Sequence, residues 1–487
     1  MKKRLLVLVP IMMAVFMFAM CQQDETSGSE LPGANSAPYF ITNNFAQDSS
    51  TAFLVQWHNY KEVSRQTLQI VTADGDFENA RNITVTGELF DIAGITTCPN
   101  VSNKCSPACN GIGNYPARNI FRAEVTGLEP ATGYKYRVGA PGFWSDTFFH
   151  LTSGGSNTDF SFTVVTDTQD SVFNGMRLTL QAANTFDSDN RFFLHAGDVV
   201  DFIGLNKHEI ENYTNVANEF NTHRPIATTQ GNHDTYHNKT GDNYVFGEAT
   251  IYNAFTVFPN NGFVRSVEGW DKNRSDSYYF YYNRVLIIML NTMATQNATG
   301  TNEPNHTAQA AWLRQVLQND KDNNLSRFRI VVTHIPPFAG RGSSGNTEPW
   351  LVEPVRRIYA PICTEFDVDI FFAGHDHVYA RSNPIKITTG NTALASINYG
   401  TTLGGTIYSI VGSTGPKLYT FRNETGTTNL FIPQSYPVRF DLNGGTATGS
   451  ISPGVFVNVK VTNDKMTVTA MNRNRTQLDT YEVTAKR

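Results

Sequence analysis

Long runs of one charge sign are missing from this 487-residue chain. Beyond Lys2, Lys3 and Arg4 no block of lysine or arginine occurs, and the formal net charge is −5. A protein that neutralises a phosphate backbone needs a basic stripe, so nucleic acid is not expected as the main ligand. An apolar stretch long enough to span a bilayer comfortably is also missing at the N-terminus, where the run Leu5–Met20 falls short of the ~20 residues required. Cysteine is scarce. Three of the 5 crowd together as Cys98, Cys105 and Cys109, which suits one local disulfide in an exported chain, whereas a zinc site would lack its fourth ligand. Cys363, in "APICTEF", has no base partner beside it and reads as a small apolar core residue.

What is present is ample apolar material, 40% hydrophobic and 12% aromatic, enough for one large core or two smaller ones. Lys2, Lys3 and Arg4 ahead of the short apolar run have the form of a secretory signal. Cys21 ends the run, and the polar tract "QQDETSGSELPGANS" that follows has the composition of a flexible tether. Together these resemble a bacterial lipoprotein signal, with residues 1–20 removed, Cys21 lipidated and 21–36 as tether. The resemblance implies export and a lipid anchor facing the outer membrane or periplasm; plain secretion is the alternative.

Residues 37–154 read as an all-β unit. "TAFLVQWHN", "QTLQIVT", "RAEVTGL" and "GYKYRVGA" alternate apolar and polar residues between turn signals, and no helical period is sustained. The phrase "VTGLEPATGYKYRVG", with Leu128, Pro130, Thr132 and Tyr134, resembles the late-strand bend of a fibronectin type III-like sandwich.

From residue 155 onward the pattern changes. Nearly continuous apolar runs of strand length, "FSFTVVT", "RFFLHAG", "RPIATTQ", "RFRIVVTH" and "VDIFFAG", alternate with helical segments such as "MRLTLQAANTF" and "TAQAAWLRQVLQN". That is the grammar of an α/β domain. "SYYFYYNRVLIIMLNT" and "VFVNVKVTNDKMTVTAM" read as hairpins, so mixed sheets are expected.

Each buried run ends in polar residues on the side where open α/β sheets place their ligands. Asp167 follows the first, Asp198 the second, Asn232-His233-Asp234 the third, His334 the fourth, and His375 with His377 the fifth. Singly, these are ordinary loop caps, turn residues or packed histidines. Jointly, two carboxylates, an amide oxygen and three imidazoles form a mixed oxygen and nitrogen set suited to borderline metals, in excess of what one ion needs.

The order Asp, Gly-Asp, Gly-Asn-His-Asp, His, Gly-His-x-His, running from Asp167 to His377, resembles the calcineurin-like metallophosphoesterase superfamily. With the sandwich in front, the chain is similar to purple acid phosphatase-type enzymes. The resemblance implies an αββα sandwich of mixed sheets over 155–487 and two metal ions. It implies that Asp198 bridges them, with Asp167 and His377 on one and Asn232, His334 and His375 on the other. It gives His233 the role of acid for the leaving group and Asp234 the role of orienting that imidazole. The implied activity is hydrolysis of small phosphate esters, most simply monoesters; a phosphodiesterase or phospholipase on the same core, or a surface binding protein with a scaffold domain, are the alternatives.

The chain departs from the purple enzymes where they carry a tyrosine three residues after the bridging Asp: here stands Asp201. Gln169, two residues after Asp167, is the other candidate to complete the first site, through its carbonyl oxygen or a bonded water. Imidazole and carboxylate ligands accommodate Fe, Mn or Zn alike. Arg341, in the loop "AGRGSSGN", is a candidate for substrate phosphate. His195, His223, His237 and His306 fall outside the motif order and read as structural or surface residues.

The mature chain is expected to begin at Cys21, to carry acyl mass and to partition with membranes. Intact-mass analysis checks this, and an N-terminus without acyl mass in the soluble fraction would refute the anchor.

Overall fold

The computed structural model describes residues 36–91, 116–155, 159–170, 172–201, 203, 207–240, 243–246, 250–264, 274–293, 296–297, 300–301, 303–338, 349–387, 398–399, 404–417, 419 and 454–486. Cys21, the group Cys98, Cys105 and Cys109, and Arg341 lie outside them. Among the described residues, no helix is long and apolar enough to cross a membrane.

The N-terminal unit is a β-sandwich. One sheet pairs Tyr39–Phe45, Phe53–Tyr60, Arg118–Val125 and Glu88–Phe90 in that order; the other places Arg65–Thr72 and Gly133–Ala140 at its centre. All strand pairs are antiparallel. Alternating side chains meet between the sheets, with Trp57, Leu68, Phe121 and Tyr136 buried in one cluster. The indole of Trp57 stacks on Phe121 at 5.5 Å and donates Nε1–H to Gln66 Oε1 at 2.7 Å, satisfying the polar end of a buried ring. At the bend expected around Leu128–Tyr134, the Tyr134 hydroxyl accepts the Glu129 N–H at 2.9 Å, tying the corner to the strand it precedes.

The second unit holds two six-stranded mixed sheets. The first runs Ile226–Thr228, Asn190–His195, Phe160–Val165, Val455–Val461, Lys465–Asn472, Gln477–Thr484. The second runs Tyr278–Tyr282, Val285–Leu290, Phe328–Thr333, Ile370–Ala373, Ile407–Val411, Tyr379–Arg381. Both hairpins read from the sequence are present, at Tyr278–Leu290 and Val455–Asn472. The five apolar runs are divided between the sheets, three parallel strands in the first and two in the second. The sheets face each other across one core that includes Phe162, Phe192, Leu194, Ile287, Ile330 and Phe372. The outer face of the first sheet packs on the helices Asn174–Phe186 and Lys207–Asn221, and that of the second on Glu303–Asp322 and the helical segment 349–365. The layering is αββα, and Cys363 is buried in it.

The sandwich caps a helix of its neighbour. The last carbonyls of the helix Thr250–Phe255 have no partner within the helix. Ala254 O accepts Gln56 Nε2 at 2.6 Å and His58 Nε2 at 2.7 Å, and Asn253 O accepts Arg122 Nη2 at 2.9 Å. The two units are thereby joined by hydrogen bonds at buried positions as well as by apolar contact through Phe45.

Candidate metal centre

The C-terminal ends of the parallel strands from both sheets converge on one cluster. Asp167 and Asp198 are 0% and 1% exposed. Thr166 Oγ1 at 2.8 Å and the His375 N–H at 3.0 Å donate to Asp167 Oδ2. Among the described residues Asp167 Oδ1 has no hydrogen-bond donor, and it lies 3.2 Å from His377 Nε2. Asp198 Oδ1 accepts the His233 N–H at 2.9 Å; its Oδ2 accepts Gln169 Nε2 at 2.8 Å and lies 3.2 Å from His334 Nε2. Asn232 Oδ1 stands 3.0 Å from both His334 Nε2 and His375 Nδ1. The six sequence candidates thus fall into two groups meeting at Asp198. One is Asp167, Asp198 and His377, whose ligand atoms lie within 4.8 Å of one another; the other is Asp198, Asn232, His334 and His375.

These donors fit two metal ions. His334 Nδ1 sits 2.9 Å from Ala196 O, which can only accept, so Nδ1 keeps a proton and Nε2, facing the cluster, is the nitrogen that would give up its proton to bind a metal. Asp167 Oδ1 and Gln169 Oε1 are buried acceptors without donors, a costly state that a cation would relieve. Burial alone would raise the Asp167 and Asp198 carboxyls, yet the imidazoles of His377 and His334 outweigh it and hold both below the usual carboxylate range. Burial likewise opposes a charged His334, but Asp198 and Asp167 raise it to about 9.

Local backbone geometry serves the cluster. Asp167, Asp198, His375 and His377 have φ of 52°, 53°, 72° and 49°, left-handed conformations rare for residues with a Cβ. The motif glycines are there for space. A Cβ at Gly231 would lie 2.1 Å from Asp198 Oδ1, and one at Gly374 would lie 2.7 Å from Asp167 Oδ2.

The remaining candidates divide. Gln169 is brought into the cluster, 2% exposed, with its carbonyl oxygen bare. Asp201 is turned elsewhere: its Oδ1 pairs with Lys417 Nζ at 2.5 Å and lies 3.3 Å from His233 Nδ1, and its main-chain carbonyl also contacts that nitrogen. Asp234 does not orient His233. Its Oδ1 accepts the Val199 and Val200 N–H at 3.0 and 3.3 Å and its Oδ2 the Gly231 N–H at 2.8 Å. Burial, with the Asp198 charge next, raises the Asp234 carboxyl well above its ordinary range. The partner of His233 Nδ1 is Asp201, because His233–Thr235 is a 3-10 turn whose successive side chains diverge by about 120°. His233 is 20% exposed at its side chain, with Nε2 3.9 Å from Asp198 Oδ2. Burial first and Lys417 second lower its pKa, against Asp198 and Asp201.

Sequence reasoning passes over the loop after Ile407–Val411. Ser413 Oγ donates to Asp167 O at 3.1 Å, the Gly415 N–H to the same oxygen at 3.0 Å, and Tyr419 stacks on the His377 ring at 4.5 Å. The only signal was the apolar run "IYSIV" ending in "GSTGP", small residues without titratable groups. Among the histidines outside the motif order, His195 Nε2 bonds Thr168, His306 Nδ1 bonds the Tyr359 hydroxyl, and His223 stacks on Phe149.

Residues 160–379 match the calcineurin-like phosphoesterase family, and residues 38–152 match the purple acid phosphatase N-terminal domain. The chain carries a calcineurin-like phosphoesterase domain behind a purple acid phosphatase N-terminal domain. Purple acid phosphatase 21 of Arabidopsis thaliana is 25% identical, over 56% of this chain and 55% of that protein. A purple acid phosphatase of Glycine max is 24% identical over the same shares. The matches thus span a little over half the length of these relatives. Among solved structures, purple acid phosphatase PPD1 from yellow lupin superposes with a TM-score of 0.65 at 16% identity, covering 92% of this chain and 75% of that one. PhoD superposes with a TM-score of 0.56 at 11% identity over 93% of each chain. At these identities the likeness is one of fold.

In the phosphoesterase domain, Gly231→Ala is expected to displace the Asp198 carboxylate and weaken metal binding at least about tenfold. Metal titration of the folded variant checks this; unchanged affinity would mean that the clash relaxes elsewhere.

Proposed function

We propose that the chain is a dinuclear-metal hydrolase of phosphate esters, acting on monoesters. The observation that carries the reading is the donor set: two groups of ligand atoms share Asp198, and buried acceptors on Asp167 and Gln169 lack donors among the described residues. Asp167, Asp198 and His377, with Gln169 Oε1, would hold one ion; Asp198, Asn232, His334 and His375 would hold the other. When bound, such a pair polarises the phosphoryl group and lowers the pKa of water to about 7. The intact donor set disfavours a scaffold without chemistry.

The residues around the ions handle the proton and the substrate charge. The Asp201 carbonyl and carboxylate hold Nδ1–H of His233, which leaves Nε2 to carry a proton toward the departing alcohol. Asp234 acts at one remove: by gathering the Gly231, Val199 and Val200 amides it fixes the loops that carry Asn232 and Asp198. Lys417 stands near His233 in an ion pair with Asp201 that adds no net charge, so the monoester reading rests on the likeness to purple acid phosphatases. For its place of action we propose export with a tether through Cys21, on the strength of the N-terminal signal alone.

Since the protonated His233 exists below its lowered pKa, help to poor leaving groups is present in acid and fades as pH rises through that lowered value, before the ordinary 6.5 is reached. His233→Ala is therefore expected to cut turnover of alkyl monoesters by about 10²–10⁴ at acid pH, and of nitrophenyl phosphate far less. A panel of alkyl and aryl monoesters and a diester, assayed from pH 4.5 to 8, checks the reading. Equal loss across leaving groups would remove the acid role, and a diester as the preferred substrate would overturn the monoester assignment.

A further inference from the structure

The first sheet of the phosphoesterase domain has a second charged end. The strand Asn190–His195 leads to Asp198 at its C-terminal side, and its six residues alone put its start roughly 17 Å away. At that start the sandwich meets the α/β domain around a cavity of about 170 Å³. Phe45 and Leu151 of the sandwich line it together with Ser188, Arg191, His223, Arg224 and Tyr282 of the α/β domain.

Two guanidiniums line this one cavity without an ion-paired carboxylate among the described residues. Arg224 donates Nε–H to Asn190 O at 2.7 Å and Nη2–H to Ser188 O at 3.1 Å, which anchors its plane to the backbone and leaves Nη1 uncommitted. Arg191 forms no hydrogen bond or ion pair with the described residues. Burial, and then the charge of Arg191 nearby, lower the pKa of Arg224, so the two cations feel each other. Asp187 offsets this only from a distance, since its carboxylate accepts Asn458 Nδ2 at 2.9 Å and the Asp189 N–H at 3.1 Å. Tyr282 is 3% exposed, and its hydroxyl has no hydrogen-bond partner among the described residues. Burial raises that phenol to about 12, partly countered by Arg191, so it stays a neutral O–H donor beside the guanidinium.

Arg191 is exposed and Arg224 half-buried at the mouth of this cavity, where both can turn onto one ligand, and guanidinium pairs match tetrahedral oxyanions in geometry and charge. We propose that the domain junction is a binding site for a small oxyanion of the phosphate class, held by Arg191 and Arg224 with the hydroxyls of Tyr282 and Ser188. The site lies at the far edge of the sheet from the metal centre and stands apart from the hydrolase reading. Because its walls come from both units, a bound anion ties the sandwich to the α/β domain and raises thermal stability by mass action.

The test is calorimetric titration of the metal-loaded full chain with inorganic phosphate, for the wild type and for Arg191→Gln. Arg191 braces no other group, so the variant is expected to keep the fold and the turnover. One phosphate per chain should bind about tenfold more weakly in the variant, the loss of one charged contact. Any phosphate taken up at the metal centre is common to both chains and cancels from the comparison. Superimposable isotherms would overturn the proposal. Acetate should give no heat that depends on Arg191; acetate binding there as strongly as phosphate would overturn the assigned class.

Discussion

Two carboxylates withdrawn from water set the terms for the rest of this structure. Asp167 and Asp198 are buried at the meeting edge of two sheets, where an uncompensated charge is costly. Hydrogen bonds from Thr166, Gln169 and the His375 and His233 amides meet part of that cost. The imidazoles of His334 and His377 meet more of it, and His334 is raised to about 9 as a result. Among the described residues Asp167 Oδ1 and Gln169 Oε1 remain without donors after this, a deficit that a cation would satisfy.

The backbone is bent to meet the same demand. Four residues of the cluster occupy left-handed conformations, each costing roughly 1–2 kcal/mol for a residue with a Cβ. They persist because the surrounding chain over-determines them: the Asp167 N–H is held by Gly197 O at 3.0 Å and the His375 N–H by Asp167 itself. The loop 412–417 closes the first site from behind through the Asp167 carbonyl. The sandwich contributes none of the cluster residues and braces the domain from the side, by capping the helix Thr250–Phe255.

Much of this was legible in the sequence because strand-end residues are fixed by the strands that carry them. Asp167, Asp198, Asn232, His334, His375 and His377 each follow a buried apolar run, and a parallel sheet delivers such positions to one edge. The division of the runs between two sheets was not visible in the runs themselves, since "FSFTVVT" and "RFRIVVTH" satisfy either sheet equally; it was implied only by family resemblance. Asp234 misleads because adjacency in sequence suggests partnership, while the turn at 233–235 sends neighbours in different directions. Asp201 is the reverse case, distant in sequence from His233 and in contact with it. Lys417 and Tyr419 carried no signal, because their place depends on a tertiary path that no local pattern encodes.

The central claim is that Asp198 is shared by two ions, and metal content per chain tests it most directly. The wild-type protein should hold two ions per chain by elemental analysis, and Asp198→Asn should lose both while its far-ultraviolet circular dichroism stays unchanged. Two ions retained in Asp198→Asn, or the loss of one alone, would contradict the shared carboxylate and with it the dinuclear account.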